Sequence, residues 1–145
     1  MKKKTGVTRV LLAFKNSGKG FKFLIKNEAA FRQEVALAIF LAPLSFLVSR
    51  SLSELVLLLL TLALVLVVEI LNTAVEAVVD RIGLEHNELS GLAKDLGSAA
   101  VLLSLLFTAG VWLTFYGAMD RLHSGCHETD RQPRLKTGPI LTIGG

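Results

Sequence analysis

The sequence predicts an all-α integral membrane protein: one amphipathic surface helix followed by three transmembrane helices. Three observations predict it. Apolar residues fill 52% of the 145 positions while aromatics fill only 7%, so the excess is aliphatic, and mean hydropathy is +0.56. The apolar residues fall in three long runs, too long for strands. Nine of the 16 basic residues lie in the first 32 positions, opposed there only by Glu28. The length suits a single domain. The shortage of polar surface argues against an ordinary soluble enzyme, a disordered chain and a nucleic-acid-binding module. Cys126 is the single cysteine, which excludes an internal disulfide framework and a cysteine-rich metal site.

The surface helix is expected over residues 7–26. Val7, Val10, Leu11, Phe14, Phe21, Leu24 and Ile25 recur at helical spacing. Lys15, Lys19, Lys22 and Lys26 fall at i, i+4, i+7 and i+11, within a narrow stripe. Such a helix lies among lipid headgroups with its basic heads near anionic lipid. The alternative is a soluble helix packed on a core. The apolar run Val10 to Phe14 stops at Lys15, so no signal peptide is expected.

Three spans follow, at about 29–49, 52–82 and 94–119. The first contains a charge-free run from Val35 to Ser49, interrupted by Pro43, and reaches spanning length by including residues from Ala29. The second is free of charge from Leu55 to Val68 and then becomes polar. The third is the clearest, with no charge from Leu96 to Met119. The short link at 50–53 makes spans one and two an antiparallel hairpin. Residues 83–93 read as a polar loop. Residues 1–119 form the membrane domain, and 120–145 read as a polar, mostly disordered tail. The basic N-terminus is expected to stay cytoplasmic, which places the 83–93 loop inside and the tail outside. Arg121, Arg131, Arg134 and Lys136 in the tail run mildly against that rule.

The second span holds the sharpest chemical signal. Glu69, Asn72, Thr73, Glu76 and Asp80 are spaced i, i+3, i+4, i+7 and i+11, within an arc of about 100°. Ionisable groups inside a span are costly and point to function. Glu69 lies roughly 21 Å along the helix from Leu55 at 1.5 Å per residue, near the expected cytoplasmic boundary. A lipid headgroup reaches Glu69 there, and a water-soluble substrate reaches Glu76 and Asp80. The alternative, strongest for Asp80, is that these acids only mark where the helix leaves the bilayer.

Two more charged clusters are expected at the same depth: Asn27 to Glu34 entering the first span, and Lys94-Asp95 entering the third, with Ser98 one turn deeper. Glu28 and Glu76 suit Mg²⁺, which commonly takes one or two carboxylates plus substrate phosphates. Lys94 suits a phosphate, and Glu69 suits proton abstraction from a hydroxyl. Ordinary interfacial charge is the alternative for Glu28, Glu34 and Lys94. Neither Gly-rich nucleotide loop occurs. His123, Cys126 and His127 lack a fourth ligand and a scaffold, and read as exposed tail. Three spans cannot cover the Glu69 face alone, so a homo-oligomer with sites at subunit boundaries is expected.

Four segments carry a resemblance to a known family: Glu28 to Glu34, Glu69 to Gly83, Glu88 to Gly91 and Ala93 to Val101. In these the chain resembles the small prokaryotic diacylglycerol kinase over about residues 5–119. The resemblance implies a homotrimeric enzyme of the bacterial inner membrane, with the N-terminus cytoplasmic and the C-terminus periplasmic. It implies transfer of the γ-phosphoryl group of Mg-ATP to diacylglycerol, giving phosphatidic acid. By matching position, it implies Glu69 as general base and Glu28 and Glu76 as Mg²⁺ ligands that also contact ATP. Arg9, Asn16, Glu85, His86, Asn87, Lys94 and Asp95 fall where the family binds nucleotide. Arg9, Ala30, Phe31, Arg32, Gln33, Glu34, Glu69, Ser98 and Trp112 fall where it binds lipid. Asn72 and Asp80 support the site.

The chain departs from the family pattern in places. Asn16 stands at an aromatic position, His86-Asn87 replaces an aromatic-His pair, and Leu47 and Leu55 replace a Trp and an Arg. The nearest alternative is undecaprenol kinase, the same chemistry on a polyprenol. From other classes, the polar face suits an ion or proton path, and the basic helix suits a membrane adaptor that senses anionic lipid. No nucleic-acid partner is expected.

Overall fold

The structure, a computed structural model, describes residues 6–83 and 87–129, and the side chains among them up to Gly117. Four helices appear in order: α1 (Val7–Asn27), α2 (Ala29–Val48), α3 (Leu52–Ile82) and α4 (Glu88–Thr129). There is no strand among the described residues. Three segments are long and apolar enough to cross a membrane: Ala29–Val48, Leu52–Ile82 and Glu88–Gly117. The predicted all-α class, with a leading helix and three spans, is what the structure has.

Each helix boundary has a local cause. Gly6 enters α1 at φ 72°, in the left-handed region that only glycine adopts without strain. At the other end Glu28 leaves the helical region, with φ −100° and ψ 114°. Side chains reach carbonyls at the end of α1, including the orphan carbonyls of Ile25 and Lys26. Asn27 Nδ2 donates to the Phe23 carbonyl at 2.9 Å, and Arg32 Nη1 donates to those of Ile25 and Lys26 at 3.3 and 3.4 Å. Glu28 is the single residue between α1 and α2. The junction is packed as well as capped. Phe31 is 1% exposed, and its ring centroid lies 6.3 Å from that of Phe21, within the range of favourable aromatic pairs.

Helix α2 has 20 residues, about 30 Å at 1.5 Å per residue, which matches the hydrocarbon core of a bilayer. Pro43 sits within it and removes one helical N–H donor. The hairpin to α3 closes with a reciprocal cap. Ser51 Oγ accepts from the Glu54 N–H at 3.2 Å, and Glu54 Oε2 accepts from the Arg50 N–H at 2.8 Å. This is a variant of the capping box, read from Ser-x-x-Glu.

Helix α4 packs mainly on α3, α2 also packs on α3, and α1 touches α2. Leu58, Leu62 and Val65 of α3 are buried, together with Leu24 of α1 and Phe31 and Val48 of α2. Burying a large aliphatic side chain contributes roughly 1.5–3 kcal/mol relative to water, but lipid is itself apolar, so packing and polar contacts decide association within a bilayer. Such contacts join α3 to α4. Thr108 Oγ1 donates to the Thr61 carbonyl at 3.2 Å and Trp112 Nε1 donates to Thr61 Oγ1 at 3.3 Å, while within α3 Thr61 Oγ1 donates to the Leu58 carbonyl at 2.7 Å.

Two boundaries differ from the sequence reading. Helix α4 starts at Glu88, six residues before the expected 94, so much of the expected 83–93 loop is helix. The cause is Asn87, whose Oδ1 accepts from the N–H groups of Leu89 at 2.9 Å and Ser90 at 3.3 Å. At its other end α4 runs to Thr129, into the segment read as disordered from residue 120. Continuous helical hydrogen bonding past Met119 overrides the loss of hydropathy there. Residues 130–145 lie outside the described residues.

Candidate active site at the charged end of the bundle

The polar ladder of α3 forms as the spacing predicts. Glu69 is 4% exposed and Thr73 8%, Asn72 and Glu76 are half-buried, and Asp80 is exposed. Exposure therefore rises along one face toward the end of the helix. Glu69 lies 17 positions after Leu52, roughly 25 Å along the axis. Helix α3 has 31 residues, about 46 Å, so more than a turn lies beyond the length of a hydrocarbon core.

Helix α2 and the α1–α2 break bring further carboxylates to the same place. Glu34 is buried on α2 and interacts electrostatically with Glu69. Glu69 also interacts with Glu28 and Glu76. Four carboxylates from the break, α2 and α3 thus share one region. Glu28 is half-buried at the break, where the extended backbone lifts it out of either helix.

Asn72 orders one of these acids. Its Nδ2 donates to Glu76 Oε1 at 3.1 Å, one turn further on. Its own Oδ1 is buried without a hydrogen-bond partner, as is Glu34 Oε2. Buried, unpaired oxygens are uncommon because each forfeits its hydration. Both lie in the carboxylate region.

Beyond Glu76, Lys94 of α4 reaches across to α3. Its ammonium sits 2.5 Å from Asp80 Oδ1, with both side chains exposed, and it also interacts with Glu76. This places one cation at the open end of the acidic ladder. Asp95, the next residue, is exposed.

Several predicted residues have a structural partner that the sequence does not reveal. Phe31 is enclosed at the α1–α2 junction, and Arg32 caps α1. Trp112 is tied to Thr61, eight residues and roughly 12 Å along α3 from Glu69. Asn87 caps α4. Ala30, Gln33 and Ser98 are exposed. Arg9 is exposed and lines a shallow apolar groove on α1 with Val10, Ala13, Phe14 and Ser17, while Asn16 is exposed on the same helix. Glu85 and His86 lie outside the described residues. Sequence reasoning missed Gly97, which lies against Asn72. A glycine inside a predicted span was the available signal.

The donor set at this end of the helices is carboxylate oxygen, the chemistry that Mg²⁺ prefers. Among the described residues no three Asp, Glu, His or Cys side chains form a ready cage. Mg²⁺ does not need one, because it keeps waters and takes one or two carboxylates plus phosphate oxygens. Glu28 and Glu76 are hard oxygen donors at the open end, and Glu76 is oriented by Asn72. These residues fit Mg²⁺ held jointly with a phosphate.

The fold and this region together define a multi-pass membrane protein with a carboxylate-rich site at one end of its helices. The model of the prokaryotic diacylglycerol kinase family matches residues 15–116. A diacylglycerol kinase of Haemophilus influenzae is 47% identical over 112 residues, covering 77% of this chain and 95% of the relative. One of Escherichia coli K12 is 46% identical over 108 residues, covering 74% and 88%. One of Pseudomonas aeruginosa is 44% identical over 113 residues, covering 78% and 92%. The chain belongs to the prokaryotic diacylglycerol kinase family. It is a lipid kinase, and a multi-pass bacterial membrane protein.

Proposed function

We propose that the protein transfers the γ-phosphoryl group of ATP to the free hydroxyl of 1,2-diacylglycerol, giving phosphatidic acid and ADP. The observation that carries this reading is the gradient along α3, from buried Glu69 to exposed Asp80. It offers a lipid-depth carboxylate and a water-accessible acidic end on one rigid element. The relatives named above support the lipid acceptor.

In this mechanism Glu69 accepts the hydroxyl proton as the lipid oxygen bonds to the γ-phosphorus. The bond from that phosphorus to the β–γ bridging oxygen breaks, and ADP leaves. Glu34, buried beside Glu69, bounds the position of the lipid headgroup. Lys94 meets phosphate oxygens, which favour charge-assisted hydrogen bonds. Glu28 and Glu76 hold Mg²⁺, which when bound neutralises phosphate charge. Positioning and charge stabilisation account for most of the catalysis in phosphoryl transfer.

The same reading places the chain in the inner membrane with the Glu76 end cytoplasmic and the C-terminus periplasmic, because the N-terminal basic residues favour the cytoplasmic side. It assigns a homotrimer with sites at subunit boundaries, supported by half-buried Glu28 and Glu76, which a single chain leaves partly uncovered. The test is incubation of membranes carrying the protein with γ-labelled ATP, Mg²⁺ and either diacylglycerol or undecaprenol. Labelled phosphatidic acid is expected. Absence of labelled lipid from both substrates refutes the kinase reading, and label on the polyprenol alone reassigns the acceptor.

A further inference from the structure

Gly97 of α4 stands apart from the other helical glycines. A Cβ added at Gly18, Gly20, Gly91 or Gly110 meets nothing within 4 Å. One added at Gly97 runs into Asn72 Oδ1, far inside contact distance, and lies 3.3 Å from Asn72 Cγ. The Asn72 backbone is not the obstacle, since its Cα is 3.9 Å away, an ordinary van der Waals contact.

Three facts about the contact point the same way. The clashing atom is the end of a flexible side chain, so a methyl group at 97 is accommodated by turning the Asn72 amide rather than by separating α3 from α4. That amide is already committed, because its Nδ2 donates to Glu76 Oε1 at 3.1 Å. Its Oδ1 is buried without a hydrogen-bond partner, so no second bond holds the amide in place. The bare Cα of Gly97 is what leaves room for the orientation that Glu76 uses.

We infer that Gly97 is a positioning residue: its missing side chain fixes the Asn72 amide, and through it the Glu76 carboxylate, for binding a divalent cation. The inference rests on the reading of Glu76 as a metal-holding carboxylate. It assigns the contact between α3 and α4 at this level to metal affinity rather than to helix packing alone. Groups that orient metal-binding side chains commonly change affinity by about 10–100-fold when removed.

The test uses the purified full-length protein with a non-hydrolysable ATP analogue and Mn²⁺ as the probe, read by electron paramagnetic resonance. Gly97→Ala is expected to weaken Mn²⁺ binding by about tenfold while leaving the thermal unfolding midpoint near that of the parent. Asn72→Ala is expected to weaken it similarly. The double variant is expected to match Asn72→Ala alone, because both changes remove the same bond, and coupled residues are non-additive. Unchanged Mn²⁺ affinity in Gly97→Ala overturns the inference, as do penalties that add in the double variant. A Gly97→Ala protein that fails to fold and is not restored by Asn72→Ala also overturns it. Glu76→Gln separates the two levels: parental Mn²⁺ binding in that variant refutes the metal role of Glu76 itself.

Discussion

The Lys94 ammonium lies 2.5 Å from the Asp80 carboxylate, joining α4 to α3 at the exposed end of the acidic ladder. Both side chains face solvent, so the pair adds little to folding. Its consequence is placement: Lys94 is held beside Glu76 instead of sweeping through water. Asp80→Asn is expected to raise the KM for ATP several-fold with a smaller effect on kcat, and to leave the thermal midpoint almost unchanged. Steady-state kinetics over an ATP series checks this. A fall in kcat at constant KM would instead assign Asp80 to the chemical step.

Glu69→Gln keeps the shape of the most buried acid on the ladder but removes its basicity. General base catalysis contributes typically 10²–10⁴-fold. A loss of that order in kcat is expected, with the protein still folded in the membrane. Labelling of lipid by the variant at the parental rate would remove Glu69 as the base.

The Thr61 hydroxyl receives the Trp112 indole N–H and ties α3 to α4. Thr61→Val keeps the volume and deletes the acceptor. Interhelical polar contacts in membranes contribute about 0.6–2 kcal/mol, and a destabilisation of that order is expected in denaturant titrations in detergent. The cost should shrink in a Trp112→Phe background, where no indole N–H is left unpaired.

Asn87 caps α4, and Asn87→Ala is expected to lower stability by about 1 kcal/mol. If Asn87 served only the nucleotide, the thermal midpoint would stay constant while the KM for ATP rose. Measuring both quantities on one preparation separates the roles.

The α3 ladder was legible because helical periodicity is strict: five polar residues at i, i+3, i+4, i+7 and i+11 must share a face. The depth of Glu69 followed from its distance along the helix, but its cover did not: three spans were expected to leave that face open, and the helices of one chain already bury Glu69 and Thr73. The start of α4 was not legible, because hydropathy rises only after Lys94 whereas the helix is nucleated by the Asn87 cap at its polar end. Nor was the end of α4, since polar residues after Met119 signal the edge of a bilayer as readily as the end of a helix. Phe31 and Arg32 fell inside a segment read as lipid-binding, and their packing and capping contacts depend on how α1 folds against α2. Gly97 carries only a weak local signal, a glycine inside a predicted span. Its importance lies in a partner 25 positions earlier, visible only when α3 and α4 are side by side.

The unequal lengths of α2 and α3 have a mechanical consequence. Both helices meet at the Ser49–Ser51 turn, so the 31-residue partner overshoots the 20-residue one by roughly 16 Å at the other end. That overshoot is a ruler. The separation between Glu69 and Glu76 is set by helical pitch, seven residues and about 10 Å, with no break in α3 between them. Inserting one residue between Glu69 and Glu76 would turn the outer carboxylate about 100° from the inner one, so the proposed transfer would fail while each half kept its own residues.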